Sequence, residues 1–461
     1  MQILAGDHLQ LFVRQYRGDE SHRSFLYITE STVNPFGRPP SRFRTVPMSS
    51  DDDHERDRQP KNSISSSQTD SCAMDGGPNP PTFATVDWEG TKNRSRPSLS
   101  WSVLGLIGSL AVLLAGVVYD RVVTGSGTPI VFGWSPEPIE WLFLASLVGG
   151  FWLFVVPFLS DPTLRGSARR GLRRNPVAIA SVAYLGMFFL AGTVLVRTVE
   201  FDGHAQHVLQ PPAFVSVREE IPHGCAGQLE NGYCHGTLAY PLGTDLHGEN
   251  LLQLILEGAQ VSLMVAMIVG VFVASIALVV GTTAGYLGGR VDAVLMRYVD
   301  VQQTIPAFLV YIVLAYAVGQ SLLLLVVVFG LLGWGGIARI VRGDVQRLKS
   351  ERFVLNARAA GAGPIAILRR HLLPNVVGTA AVATTQFVPR ILLIEAALSF
   401  MMLTDTTVTS WGHTIASGFQ HLRPILDTWW LTTIPVVCLA LTVLSIAVLG
   451  DLLRDVYDPN Y

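Results

Sequence analysis

Residues 301–338 contain no Asp, Glu, Lys or Arg, an uncharged run of 38 positions. A helix crosses the bilayer core in about 20 apolar residues, so this run is too long for one span and reads as two, joined tightly near Gly319-Gln320. Six more apolar runs lie at 101–119, 141–159, 176–196, 259–286, 376–403 and 428–450, for eight spans in all. A chain of 461 residues that is 49% hydrophobic and 15% charged, with mean hydropathy +0.38, is too apolar for an ordinary soluble globule. Only helices or closed barrels satisfy their backbone polar groups in lipid, and runs this long are helical, so the expected fold class is an all-α polytopic membrane protein.

Charge distribution orients the spans. Predicted inner loops and the C-terminus carry sixteen Lys and Arg, five, two, eight and one in chain order, against four in the outer loops. By the positive-inside rule both termini are cytoplasmic and the chain is a multi-pass protein of the cell membrane. The linker after the second span holds Arg165, Arg169, Arg170, Arg173 and Arg174 with only Asp161 opposing, so it is cytoplasmic. Residues 197–258 carry two arginines against eight carboxylates, which suits an external loop.

Residues 1–100 are rich in Ser, Pro, Asp and Arg and show no sustained periodicity, so they are expected to be a disordered cytoplasmic region. Met48-Ser49-Ser50-Asp51-Asp52-Asp53 reads like a protein start, leaving the residues before it as either a start-site artefact or a tail. The remainder divides into 101–175, two spans with the Arg-rich linker; 176–258, one span with the external loop; and 259–461, the core with a cytoplasmic loop at 345–375.

That loop is the most informative stretch. From Ser350 to Asn375 it reads SERFVLNARAAGAGPIAILRRHLLPN. Ser350 is expected to cap a short helix whose Ala357, Ala360 and Gly361 share one nearly bare face. Gly363 is expected to stop it and Pro364 to start a second helix. The product is an elbow that lets another backbone approach closely, with Arg352, Arg358, Arg369 and Arg370 offering charge. It reads as a docking knuckle.

The order Ala357-Arg358-Ala359-Ala360-Gly361, then His371-Leu372-Leu373-Pro374 with the proline thirteen residues after the glycine, resembles the coupling loop of ABC-importer permeases of the dipeptide/oligopeptide/nickel family, in which Asn356 would also fall. Tyr240-Pro241-Leu242-Gly243-Thr244-Asp245 with Gly248 resembles that family's external motif, and Leu449-Gly450-Asp451-Leu452-Leu453-Arg454-Asp455 with Asp458-Pro459 its C-terminal end. The similarity covers residues 176–461 and is closest to the second permease of such systems. Leu355-Asn356 stand where the family usually has Glu-Ala, and Glu249-Asn250 where it usually has Arg-Asp. The resemblance implies a type I ABC-importer transmembrane fold and a permease subunit for peptides or a small solute such as nickel. It implies as partners a second permease subunit, two ATP-binding ABC subunits and an extracellular substrate-binding protein, within the lipid bilayer and without nucleic acid. The first two spans are then additions around a six-span core, expected to be lipid-facing and dispensable.

Nothing in the chain points to catalysis. No glycine-rich loop ends in Gly-Lys-Ser or Gly-Lys-Thr, so ATP must be hydrolysed by another chain, and no nucleophile-base pair is visible. No cofactor or metal is expected on this chain. Glu395 and Arg390 lie in the seventh span about 140° apart around the helix, so they are not a pair. Glu395, near Ser399, either lines the pathway or makes a structural hydrogen bond, while Arg390 reads as structural. Gly333-Trp334-Gly335-Gly336 serves close packing or conduction. Cys225 and Cys234 form an external disulfide, hold zinc with His223 and His235, or stay free; Cys72 and Cys438 look unpaired. His413 and His421 read as solvated or capping residues. A reading without the family is an ATPase-independent membrane receptor or channel subunit.

Overall fold

The computed structural model describes residues 101–124, 136–198, 206–405, 407–419 and 427–457. The expectations for residues 1–100, Met48, Cys72, His421 and Asp458-Pro459 lie outside the described residues. Among the described residues seven helices are long and apolar enough to span a membrane, and a bent helix pair supplies an eighth.

The first span is α1 (Trp101–Val118), ending in a wide π turn (Tyr119–Thr124). The second comprises α2 (Pro138–Gly150), a π turn (Phe151–Val155) and α3 (Val156–Ser160). A separate helix α4 (Pro162–Arg174) follows. The third span comprises α5 (Pro176–Leu190), a π turn (Ala191–Leu195) and α6 (Val196–Thr198). An external segment with strands β1 (Ser216–Arg218), β2 (Leu229–Glu230) and β3 (Tyr233–His235) leads into α7 (Leu251–Leu287), a helix of 37 residues.

Helices α8 (Gly289–Thr304) and α9 (Ala307–Val318) form the bent pair, turned 68°. Pro306 causes the bend: it cannot donate to the helical ladder, and Ile305 before it is extended, with φ −86° and ψ 116°. The chain reverses at Gly319, φ +97°, and Ser321 caps α10 (Leu322–Leu332) by accepting from the Leu324 N–H at 3.0 Å. The expected junction near 319–320 is thus a real turn.

After α10 the helix breaks at Gly333-Trp334 and resumes as α11 (Gly335–Leu348). Packing explains this glycine cluster: Gly333 lies under the Phe387 ring, and Gly335 against Gln302 and Val299. Then come α12 (Arg352–Ala359), α13 (Pro364–Ile367), a π turn (Leu368–Leu372), α14 (Leu373–Phe400), α15 (Trp411–Phe419) and α16 (Trp430–Tyr457).

Helix α7 is the central post, packed by α2, α10, α11 and α14. Lipid tails are as apolar as Leu, so helices associate by close packing rather than by escape from water. Gly281 and Gly285, four apart, lie against the Ala338 and Arg342 carbonyls, where an added Cβ would come within 2.6 and 2.8 Å. Val265, Val273, Ala277 and Val341 are wholly buried at these contacts.

The two added spans differ from each other. Helix α1 lies against the second span, where the Trp152 indole N–H donates to Ser109 Oγ at 2.9 Å and that of Trp141 to Asp120 at 3.3 Å; Leu104, Ile107, Val112 and Leu114 are exposed. Helix α2 instead buries Ile139, Phe143, Ser146, Gly149 and Gly150. Gly149 and Gly150 let it close onto Met267 and Val271 of α7, and Arg197 of α6 pairs with Glu140 at 2.6 Å. The expectation that both spans are lipid-facing is therefore corrected for the second, because its small residues make a tight seam with the central post.

The external segment has its own core of Leu209, Val217, Ile221, Leu251, Leu254, Trp430 and Leu431. Its sheet has the order β1-β3-β2, antiparallel, with Val217 and Leu229 both opposite Cys234. Cys225 and Cys234 are joined in a disulfide with Cα atoms 5.8 Å apart, which leaves no thiolate for the zinc alternative. Cys438 is free.

Candidate functional site

The elbow begins where α11 ends. Ser350 does not cap α12: its hydroxyl donates back to the Arg347 carbonyl at 2.7 Å, and Glu351 takes the N-cap position. Lys349 Nζ donates to the Tyr286 carbonyl at 2.7 Å, tying this end to the last turn of α7. The stop is likewise two residues earlier than expected. Gly361 is left-handed with φ +83°, whereas Gly363 has φ −69° and caps α13. The Ala362 N–H donates to the Ala357 carbonyl and the Gly361 N–H to the Arg358 carbonyl, both at 3.0 Å. That pair of hydrogen bonds satisfies the orphan carbonyls at the helix end and requires the left-handed residue at position 361.

One side of the elbow is anchored and the other is open. Val354, Ile367 and Leu372 are buried, each contributing about 1.5–3 kcal/mol of apolar transfer, and half-buried Ala357 and Leu373 pack beside them. Asn356, Arg358, Ala359, Ala360, Gly361 and Pro374 are exposed, and a Cβ on Gly361 would meet nothing within 4 Å. Exposed with them are Phe353 at 41%, Leu355 at 47% and Ile365 at 74%. The His371 ring lies against Phe353, with centroids 6.3 Å apart. The open face thus combines small residues, three large apolar side chains and the exposed Arg352, Arg358, Arg369 and Arg370.

The external motif is a folded knot at the top of α7. Gly243, φ +88°, is pressed against the Gln210 carbonyl and the Trp430 ring, where a Cβ would come within 2.6 and 3.0 Å. Thr244 is wholly buried; its hydroxyl donates to the His207 carbonyl at 2.7 Å and accepts from the Gln210 N–H at 2.8 Å. Asp245 Oδ1 accepts from the His247 and Glu249 N–H groups, both at 2.8 Å, around the turn at Gly248. Pro241 accepts from Ala213, and Leu242 joins the external core. Glu249 and Asp245 line a cavity of about 310 Å³ with His247, His413 and Thr414. Burial, then the neighbouring Asp245 and Glu257, pushes the Glu249 carboxyl above the usual carboxylate range. His413, read as solvated or capping, belongs to this cavity wall.

The intramembrane pair does not meet. Arg390 is exposed on the surface of the chain, while Glu395 is 1% exposed on the opposite side of α14. Glu395 Oε1 accepts from Ser399 Oγ at 2.9 Å, and Ser399 Oγ lies 2.8 Å from Thr404 Oγ1. Behind this knot Trp411 donates from its indole N–H to the Ile255 carbonyl at 3.0 Å, locking α15 to α7.

Gln210 escapes a reading of motifs, yet it is the hub of the external segment. Its amide donates to the His223 and Gly224 carbonyls at 3.1 and 2.9 Å, and its Oε1 accepts from the Ala226 N–H at 2.9 Å. The available signal was its place immediately before Pro211-Pro212. Trp411 and Trp430 were also missed, because a tryptophan at a span end reads as an interface anchor.

Residues 277–461 match the family model described as the binding-protein-dependent transport system inner membrane component. The chain is 35% identical over 306 residues to the oligopeptide transport system permease protein OppC of Haemophilus influenzae, covering 66% of this chain and 90% of that protein. It is 35% identical over 219 residues to the dipeptide transport system permease protein DppC of Bacillus subtilis, covering 47% of this chain and 68% of that one. With OppC of Escherichia coli K12 identity is 37% over 219 residues, covering 47% and 72%. With its apolar spans, its match to the family model and its 35% identity to a permease of which it covers 90%, the chain belongs to the binding-protein-dependent transport permeases, the multi-pass membrane components of ABC importers.

Proposed function

We propose that this permease carries peptides and works as one of two membrane subunits, with ATP hydrolysed by two partner subunits, one of them seated on the elbow of this chain, and substrate delivered to the external segment by a binding protein. The observation that carries this reading is the two-sided elbow, anchored by Val354, Ile367 and Leu372 and open at Ala359, Ala360, Gly361, Phe353 and Ile365. Small residues admit a partner backbone, and exposed apolar side chains on a water-facing surface call for a cover. Leu355 in place of the family's usual Glu makes that cover more apolar. Nucleotide that binds one global state better than the other would then shift the helices between inward and outward access.

A second permease is supported by α14. Gln386, Arg390, Leu393, Ala397 and Phe400 form one exposed helical stripe, with Arg390 near the middle of the span. A cation facing hydrocarbon at that depth is costly, so this stripe suits a subunit interface or an aqueous pathway. The peptide substrate rests on the relatives, which are oligopeptide and dipeptide permeases. The test is site-specific crosslinking from Ala359→Cys in the native membrane, followed by measurement of peptide-stimulated ATPase activity in the purified complex. A crosslinked ATP-binding subunit and peptide-dependent hydrolysis are expected. Absence of an ATPase from the complex would favour the receptor or channel alternative.

A further inference from the structure

Helix α4 stands apart from the transport machinery, and its ends explain why. Asp161 and Asn175 are both extended and both followed by proline, with ψ 109° and 103°. Asp161 accepts from the Thr163 N–H at 2.8 Å, and Asn175 from the Val177 and Ala178 N–H groups at 3.0 and 3.3 Å. A capping side chain followed by proline at the first helical position starts a new helix and forbids continuation of the old one. Helix α4 is therefore a separate 13-residue unit tethered at both ends to membrane spans, which keeps it at the cytoplasmic surface of the bilayer.

Its two sides differ. Leu164, Ser167, Ala168, Gly171 and Leu172 are half-buried, and Gly171 sits against Leu452 of α16. Arg165, Arg169, Arg170, Arg173 and Arg174 are all exposed. At about 100° per residue they occupy the half of the wheel opposite the packed stripe. Among the described residues none of the five forms an ion pair, and the one hydrogen bond recorded for them runs from Arg170 to Ser167 at 3.2 Å. The apolar side is already used by α16, so the helix is not held by plunging into lipid. What remains free is a fixed row of guanidinium forks at headgroup height.

We propose that α4 is a binding site for the phosphate groups of anionic lipids in the cytoplasmic leaflet. Guanidinium matches phosphate oxygens two at a time, and a negatively charged leaflet attracts juxtamembrane basic clusters. The site would hold lipid against the cytoplasmic end of α16, whose Tyr457 covers Gly378 just beyond the elbow.

The experiment uses the full chain in nanodiscs of phosphatidylcholine with a minor share of phosphatidylglycerol. Lipid retained after detergent extraction is counted by mass spectrometry for the natural chain and for Arg169→Gln/Arg173→Gln. These two lie at the centre of the exposed row and leave three arginines to keep the orientation. Phosphatidylglycerol enrichment is expected to fall at least tenfold in the variant, at roughly fivefold per basic group near an anionic surface, and to stay unchanged in Arg218→Gln on the external side. Enrichment by the natural chain should also fade between 0.1 and 1 M salt, as the screening length shrinks from about 10 to about 3 Å. Salt-independent enrichment overturns the proposal with no variant needed. Equal enrichment in the double variant, meaning that the arginines serve orientation only, overturns it too. So does unchanged lipid with loss of a copurifying ATP-binding subunit, which would assign the row to a protein surface.

Discussion

Replacing Gly361 separates the two demands made on the elbow. Its φ of +83° lies in the left-handed region, which costs an ordinary L residue about 1–2 kcal/mol and Asn less. A side chain there meets nothing of this chain within 4 Å. Stability of the isolated permease should therefore fall by about 1 kcal/mol for both Ala and Leu, irrespective of size, and by a few tenths for Asn. Coupling should follow a different order. If an ATPase surface lies against this spot, Ala is the mildest change, then Asn, then Leu; about 3 kcal/mol lost in docking is more than a hundredfold in the docking equilibrium. The assay is denaturant unfolding of the purified chain beside substrate-stimulated ATPase activity of the reconstituted complex. Full coupling in Gly361→Leu refutes docking at this face. A Leu variant far less stable than Ala refutes the open space around it.

The remaining expectations are shorter. Thiol labelling of unreduced, unfolded protein should leave Cys225 and Cys234 unmodified, and reduction should loosen the sheet by at most about 3 kcal/mol, read as faster proteolysis of the external segment. Removing residues 1–124 should leave a folded, membrane-inserted core, whereas removal through 160 strips the α2 seam from α7 and should lower its thermal midpoint by several degrees; equal midpoints would show that the seam is not structural. Glu249 has a raised carboxyl pKa, so the folded state holds its proton more tightly than the unfolded chain does; its favourable contribution is present below about pH 4 and is lost as pH rises through the folded value. Glu249→Gln should accordingly stabilise the external segment at pH 7 and not at pH 4, read as slower proteolysis of that segment at the higher pH, and the same gain at both would exclude ionisation as its cause. Met402 occupies the left-handed position after α14 with φ +56°, so Met402→Gly should raise stability by up to about 1 kcal/mol in thermal unfolding.

The spans were legible because run length and Arg placement report directly on bilayer thickness and orientation. Arg390 and Glu395 could be set on opposite faces from their spacing alone. The elbow's existence was readable too, but its boundaries slipped by one residue at Ser350 and two at Gly363. Two glycines flank Ala362, and only the bonds from Gly361 and Ala362 to the Arg358 and Ala357 carbonyls decide which is left-handed. The role of α2 was hidden for another reason. An apolar residue facing lipid and one facing a helix look alike in sequence, so only the seam from Gly149-Gly150 to Val271 distinguishes the second span from the first. Gln210 was hidden because its partners at 223, 224 and 226 are brought to it by the fold of the external segment.

The second half of the elbow is the foot of a span. Helix α13, the π turn and α14 form one continuous helix from Pro364 to Phe400, 37 residues or about 55 Å, bounded by the left-handed turns at Gly361 and Met402. That geometry is suited to a lever with a pivot at each tip. A shift imposed at the cytoplasmic tip must reappear near Glu395 and Ser399, close to the outer tip, unless something gives way between them. Two compliant places lie between them: the π turn at Leu368–Leu372, where the ladder of helical bonds is widened by one residue, and Pro389 inside α14, which cannot donate to the ladder. If an ATPase docks on the elbow, the stiffness of the π turn and of the Pro389 site together would set how much of its push reaches the external end.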